Sequence, residues 1–426
     1  MVHGGRWGNL RLHGTSSRNP GPPPVAPQLS TLNFALQLFM LYDRYMTTDD
    51  TKSARQPFHL LIKPVGADCN LRCDYCFYLR AHELYADRGR HVMSPEVLET
   101  MVRGLLELRF EQSVFAWQGG EPTLAGVDFF RQVVSLQQKH GANGQAVSNS
   151  LQTNGLLLDE AWCRLFRDYN FLIGLSIDGP EHVHNAVRKN AAGRGAWDKA
   201  MAAAKLMDSM RVDYNVLCVV NKHNVSMGGD LLRWFIDQGF KYVQFIPCFD
   251  GAMPGMAHMP LNVQPEQMGR FLCETFDVWS KEAWGKVSVR DFEALLSMHV
   301  GLPEGICTHG RKCNKYIVIE HDGNVYPCDF FVYDEWRLGN IMEAPLDSFM
   351  ATDKYRTFAA RKYKVAACSG CKWRKLCNGG CQKDRMSAGA VDQRTPFCNA
   401  YRAFLEHAAP QFDAIVKRIR KRPPAL

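Results

Sequence analysis

Eleven of the fifteen cysteines in this 426-residue chain fall into tight groups. These are Cys69, Cys73 and Cys76; Cys307, Cys313 and Cys328; and Cys368, Cys371, Cys377 and Cys381, with Cys398 trailing. Thiolates spaced C-x2-C and C-x3-C suit convergence on one metal centre, whereas disulfides more often join segments distant in sequence. The odd total also argues against complete disulfide pairing. Together these features imply a metal binder in a reducing, cytoplasmic compartment. Three thiolates on the short loop 69–76 would leave one iron of a four-iron cluster without a protein ligand, an open coordination position that a small molecule can take. Spacing alone leaves alternatives: a zinc knuckle with a remote fourth ligand at 69–76, and two structural zinc sites in the carboxy-terminal third.

The elements that must position these thiolates begin at residue 57. FHLLIKP (58–64) reads as a buried strand, and SPEVLETMVRGLLEL (94–108) as a helix capped by Ser94 with Pro95 at its first position. Further strands are expected at 113–118, 148–153, 171–177, 214–220 and 241–247, each of the first four followed by an amphipathic helix. Six strand–helix units imply a parallel sheet, as a doubly wound sheet or a partial β/α barrel. Ligands of such folds gather at the carboxyl ends of the strands, where both the 69–76 loop and Gly119-Gly120-Glu121-Pro122 fall. After a helical stretch near 265–300 the alternation stops. The cysteine-rich sequence at 307–398 is too poor in long apolar segments for a large core of its own, and metal centres would supply the missing stability. The expected divisions are an extension at 1–54, a core at 55–290, a cysteine-rich domain at 291–400 and a terminal helix at 401–426. The Gly/Pro/Ser/Arg-rich extension resists regular structure, and Met46 reads as the better start.

The loop CNLRCDYCFY, with an aromatic residue before its last cysteine, and GGEP on the adjacent strand end resemble the signature of the radical S-adenosylmethionine superfamily. The resemblance implies that Cys69, Cys73 and Cys76 hold a [4Fe–4S] cluster. It assigns Tyr75, Gly119, Gly120, Glu121, Ser176, Arg188 and Phe249 to S-adenosylmethionine, the glycines because a side chain would block backbone approach to its ammonium. The later cysteines resemble the SPASM extension with two auxiliary [4Fe–4S] clusters. That pattern gives Cys307, Cys313, Cys328 and Cys381 to one and Cys368, Cys371, Cys377 and Cys398 to the other. The stretches WQGGEPTLAG, SNSLQTNG, FLIGLSIDGP, DGNVYPCDFFV and CKWRKLCNGGC are similar to the anaerobic sulfatase-maturating enzymes across residues 57–415. The implied fold is a partial (β/α)6 barrel followed by the SPASM domain.

The implied reaction is oxidation of a cysteine or serine in an unfolded sulfatase segment to Cα-formylglycine. A 5′-deoxyadenosyl radical takes a Cβ hydrogen, Asp329 removes the thiol or hydroxyl proton as general base, and an auxiliary cluster takes the electron. Tyr78 and Gln118 face the peptide, and flavodoxin or ferredoxin is the implied reductant. A second SPASM activity, such as thioether formation on another peptide, shares this architecture. A non-enzymatic ferredoxin-like role leaves the βα units and GGEP without purpose, and the ferredoxin C-x2-C-x2-C-x3-C-P run is absent. No Walker A or HExxH motif occurs. The formal charge of +8 falls to about +3 once eleven thiolates hold three clusters. Basic residues are scattered apart from KRIRKR at 417–422, a solvated helix end. Nucleic acid is therefore not an expected partner. Nor is a membrane: LNFALQLFMLY (32–42) is too short to span one and no signal-peptide cleavage site follows it.

Overall fold

The apolar quartet at 59–62 forms the strand around which the sheet is organised. Its alternate residues face opposite ways. Leu60 and Ile62 join the main core under the helices, while Leu61 packs with Val318 and Tyr326 on the other face. This computed structural model describes residues 10–11, 57–78, 85, 89–249, 261–363, 365–387 and 393–421. The expected start at Met46 and the apolar stretch 32–42 lie outside them.

The strands are β1 (Leu10–Arg11), β2 (His59–Ile62), β3 (Gln112–Trp117), β4 (Ala146–Thr153), β5 (Leu172–Ser176), β6 (Tyr214–Val220), β7 (Tyr242–Pro247), β8 (Ser288–Val289), β9 (Tyr316–Ile319), β10 (Asn324–Tyr326) and β11 (Gly339–Asn340). They form one sheet in the order β11-β10-β9-β2-β3-β4-β5-β6-β7-β8, with β1 antiparallel to the start of β4. From β9 through β2 to β8 all pairings are parallel. The six expected strands are β2 to β7. Between and after them run α1 (Pro95–Glu107), α2 (Val127–His140), α3 (Glu160–Asp168), α4 (Glu181–Val187), α5 (Trp197–Met210), α6 (Gly228–Asp237), α7 (Pro265–Val278) and α8 (Arg290–His299). Ser94 Oγ accepts from Val97 N at 3.3 Å and Pro95 opens α1, which supplies a first-turn partner that the helix itself lacks.

The cysteine-rich segment is built onto this sheet. β9 lies parallel to β2 with Ile62 opposite Ile319, and Ile317, Ile319 and Val325 belong to the main core. Short helices follow: α9 (Leu346–Met350), α10 (Asp353–Arg361), α11 (Arg374–Cys377) and α12 (Gln382–Ser387). The long α13 (Cys398–Lys421) carries the basic run at its end, with Lys417 and Arg418 exposed. Among the described residues no helix is long and apolar enough to cross a membrane.

α13 lies against α7, and they approach tightly at Gly269, where a Cβ would stand 3.1 Å from the Ala400 Cα. Gly269→Leu should therefore push α13 off the barrel, at about 1–3 kcal/mol for an overpacked site. The expected result is a lower midpoint of chemical unfolding and faster proteolysis within 398–421. Wild-type resistance would show that the contact is dispensable.

Candidate active site

The 69–76 loop leaves the carboxyl end of β2 through Gly66, whose φ of 57° is in the left-handed region. Backbone hydrogen bonds tie it down on two sides. Arg72 N donates to Lys189 O at 2.7 Å and Asp74 N to Val187 O at 2.9 Å. Gly120 N donates to Gly66 O at 2.9 Å and Glu121 N to Asp68 O at 2.8 Å. The Asp68 carboxylate, beside Cys69, takes the His91 amide at 2.8 Å and its ring at 2.9 Å. Cys69, Cys73 and Cys76 are thus presented on a loop fixed at both flanks.

The two glycines after β3 are required by that loop. A Cβ on Gly119 would lie 2.5 Å from Gly66 O, and one on Gly120 2.0 Å from Asp68 O. An ammonium only donates, so the backbone groups of this turn that could receive one are carbonyl oxygens. Glu121 is 1% exposed and its carboxylate is enclosed by donors. Oε1 accepts from Thr123 N at 3.1 Å, Thr123 Oγ1 at 2.6 Å and Thr153 Oγ1 at 2.8 Å, and Oε2 from Asn154 N at 2.8 Å. It fastens the end of β3 to the end of β4. Burial raises its pKa against these donors. Asn154 continues the link, donating to Asn70 Oδ1 at 2.7 Å.

Ser176 closes β5, and Asp178, two residues on, is a centre that the sequence reading passed over although it stands in FLIGLSIDGP. Its buried carboxylate receives Arg188 Nε at 2.9 Å and Nη2 at 3.3 Å, Tyr75 OH at 2.6 Å and Val219 N at 2.9 Å. The Arg188 guanidinium also stands 5.4 Å from the Tyr75 ring centre. Tyr75 and Arg188 are therefore brought together. Phe249 is not part of this group: its ring packs edge-on to Phe397 at 4.9 Å, and its carbonyl accepts from Lys383 Nζ.

Tyr78, Gln118 and Asp329 converge. Asp329 Oδ2 accepts from Tyr78 OH at 2.5 Å and Gln118 Nε2 at 2.8 Å. The Phe77 and Phe330 rings pack at a tilt, 4.8 Å between centres, so the stretch after Cys76 packs on the stretch after Cys328. Lys63 completes the group. Only 1% exposed, its Nζ lies 3.0 Å from Asp329 Oδ1 and 2.9 Å from Glu320 Oε1. Tyr85 OH donates to Glu320 Oε2 at 3.0 Å. Period-two alternation puts Lys63 on the face of Leu61 and Glu320 on the face of Val318, and the β2–β9 register sets them side by side. The lysine in the apolar run FHLLIKP is the signal available in the sequence. Burial opposes its charge, but Asp329 and Glu320 lift its pKa above the ordinary lysine range. Burial likewise works to raise Glu320, and the Lys63 ammonium overrides it, holding the carboxyl down to about 2.

None of the fifteen cysteines is joined in a disulfide. Cys368, Cys371, Cys377 and Cys398 line one cavity with Trp373, Arg374, Arg394 and Tyr401. Cys381 is outside it and lies within charge range of Cys307, Cys313 and Cys328. Among the described residues no three His, Cys, Asp or Glu side chains are close enough to hold a single metal ion. Burial pushes Cys69, Cys73 and Cys381 up to about 12 and Cys377 to about 11. Metal loading must displace those protons.

Comparison with known proteins agrees with this arrangement. The family described as "Radical SAM superfamily" matches residues 64–235, and the "Iron-sulfur cluster-binding domain" called SPASM matches 307–372. The chain is 38% identical over 368 residues to the cysteine-type anaerobic sulfatase-maturating enzyme of Clostridium perfringens (strain 13 / Type A), covering 85% of this chain and all of that one. The chain belongs to the anaerobic sulfatase-maturating enzyme family. Its similarity to the serine-type member from Bacteroides thetaiotaomicron is 35% identity over 383 residues, covering 85% of this chain and 92% of the relative. The solved structure of native anSMEcpe with bound AdoMet and Cp18Cys peptide superposes with a TM-score of 0.79 at 37% identity, covering 85% of this chain and 100% of that one. Streptococcus suis SuiB bound to precursor peptide SuiA shares the fold, with a TM-score of 0.57 at 15% identity over 85% of this chain and 87% of that one.

In this member of the family the Lys63 ion pair has a pH signature. In the wild type the stability contributed by Glu320 is present above the ordinary carboxylate pKa and lost as pH falls toward 2. Without Lys63 the ammonium no longer opposes the burial that works to raise the Glu320 pKa, so that loss on acidification weakens. Lys63→Met should cost about 3–5 kcal/mol near pH 8, a deficit that shrinks toward pH 6. Chemical denaturation of the anaerobic holoprotein at both pH values measures this. A deficit that grows on acidification would contradict the pairing.

Proposed function

We propose that this chain is a radical S-adenosylmethionine oxidoreductase that converts a cysteine or serine of an unfolded sulfatase segment to Cα-formylglycine. Both cysteine-type and serine-type relatives align along its length. The observation that carries the reading is the Asp329 carboxylate, set between the loop following Cys76 and the ligand candidate Cys328 and held by Tyr78, Gln118 and Lys63. Three [4Fe–4S] clusters are assigned: to Cys69, Cys73 and Cys76; to Cys307, Cys313, Cys328 and Cys381; and to Cys368, Cys371, Cys377 and Cys398. With S-adenosylmethionine they supply hydrogen-atom abstraction and electron transfer, chemistry that no side chain provides.

The chain's own residues do the rest. The carbonyls of Gly119 and Gly120 would receive the cofactor's ammonium, with Glu121 as a positioning residue that fixes this turn through Thr123, Thr153 and Asn154. Arg188 and Tyr75, held by Asp178, and Ser176 at the end of β5 take the cofactor's polar groups. Phe249, whose ring packs on Phe397, is assigned to the cofactor by family resemblance alone. Asp329 accepts the substrate's thiol or hydroxyl proton. Its Oδ2 carries two donors, and Oδ1 lies 3.0 Å from the Lys63 ammonium. Tyr78 and Gln118 line the approach of the peptide and keep the carboxylate in place. A low-potential flavodoxin or ferredoxin is the proposed reductant, and a reducing cytoplasmic setting suits a chain whose fifteen cysteines form no disulfide.

The test is anaerobic reconstitution with S-adenosylmethionine and a sulfatase-motif peptide, followed by mass spectrometry. The expected products are 5′-deoxyadenosine and a formylglycine mass shift. Cofactor cleavage with an unmodified peptide would sink the substrate assignment. Asp329→Asn should keep its iron and bind S-adenosylmethionine normally while turnover falls by about 10²–10⁴, the span of general-base catalysis. Wild-type turnover would remove Asp329 from the role. Asp178→Asn should retain the iron of the first cluster but bind S-adenosylmethionine roughly tenfold to a hundredfold more weakly, as expected for loss of a charge-assisted bond. Equilibrium dialysis reads this, and unchanged affinity would show that Arg188 and Tyr75 do not need Asp178.

A further inference from the structure

Arg385 in α12 is fully buried. Its Nη2 donates to the Lys362 carbonyl at 3.3 Å, but Nε and Nη1 have no hydrogen-bond partner among the described residues. A buried guanidinium with two unpaired donors is a costly arrangement, and Asp384 is a carboxylate within charge range of it. The nearby Asp384 carboxylate is 3.1 Å from Lys383 Nζ. The other groups within charge range of Arg385 are the thiols of Cys381 and Cys313 from one cysteine set and Cys368 from the other. A second buried cation lies in the same region: Lys362, 1% exposed, donates from Nζ to the carbonyls of Cys307 and Thr308. Carbonyls orient that ammonium but carry no net charge to balance it.

Two buried cations beside eight thiols call for anions. A [4Fe–4S] core of about +2 held by four thiolates has a net charge of about −2. We propose that Arg385 is a counter-ion shared by the two auxiliary centres, donating through Nε and Nη1 to their sulfur ligands and raising the reduction potential of both. The sign follows from charge. Reduction makes each centre more negative, and a nearby guanidinium in a low-dielectric interior favours the more negative state. A planar fork can address sulfurs on two sides, which an ammonium does less well. The proposal rests on reading both cysteine sets as iron–sulfur centres and is independent of the substrate.

The test uses anaerobically reconstituted full-length protein, with iron and sulfide analysis and EPR-monitored redox titration. Wild-type protein carrying iron for the first cluster alone would overturn the cluster reading together with this proposal. Arg385→Met is expected to keep its iron, to shift both auxiliary midpoints to more negative potential and to leave the midpoint of the first cluster unmoved. Full loading with either auxiliary midpoint unchanged overturns the shared role. If the Met variant loses auxiliary iron, Arg385→Lys decides, because it keeps the charge. Retention of iron with wild-type midpoints in the Lys variant supports the proposal, and any other result there overturns it.

Discussion

The buried ion pair of Lys63 with Glu320 and Asp329 is the contact on which the rest of the site depends. Lys63 directly follows the strand that leads into the first cysteine loop. Glu320 directly follows the strand that leads toward Cys328, and Asp329 is next to that cysteine. One ammonium therefore fixes the relative position of the two halves of the chain that must cooperate. The bond is possible only because β9 lies parallel to β2 in register, which places both side chains on the inner face. A slip of one residue would turn Lys63 into the helical layer and leave two carboxylates buried without a cation.

Carboxylates do comparable work elsewhere at the strand ends. Glu121 binds β3 to β4, and Asp178 collects Arg188, Tyr75 and the Val219 amide from three parts of the chain. Each is buried, and each accepts several donors whose own backbones belong to different strand ends. A sheet fixes its strands in the middle, while their ends are free to splay. Acceptors that take three or four hydrogen bonds at once hold these ends in a fixed ring.

Much of this was legible in the sequence because it is local. The cysteine spacing, the GGEP turn and strands β2 to β7 all announce themselves within short windows, and Ser94 and Pro95 mark the start of α1. Tyr78, Gln118 and Asp329 were reached through family resemblance and are found in one hydrogen-bonded group. Lys63, Glu320 and Asp178 were not reached, since their role arises only when distant strands pair. β8 and β11 are two residues each, too short to show a period, and β9 lies among cysteines that mask its apolar run. The reason for the two glycines also changed in emphasis. The backbone of the 66–68 loop excludes a side chain there before any ligand arrives.

The order of cysteines along the chain has a consequence for synthesis. Cys381 keeps company with Cys307, Cys313 and Cys328, while Cys398 closes the cavity begun by Cys368, Cys371 and Cys377. A nascent chain leaving the ribosome amino-end first therefore completes the earlier quartet while the later one still waits for a partner. That partner arrives as the first residue of α13, the helix seated on α7 through Gly269 and Ala400. Closure of the last thiol site and docking of the last helix become a single event, and the maturation machinery meets this protein's thiol sites in an order written into its connectivity.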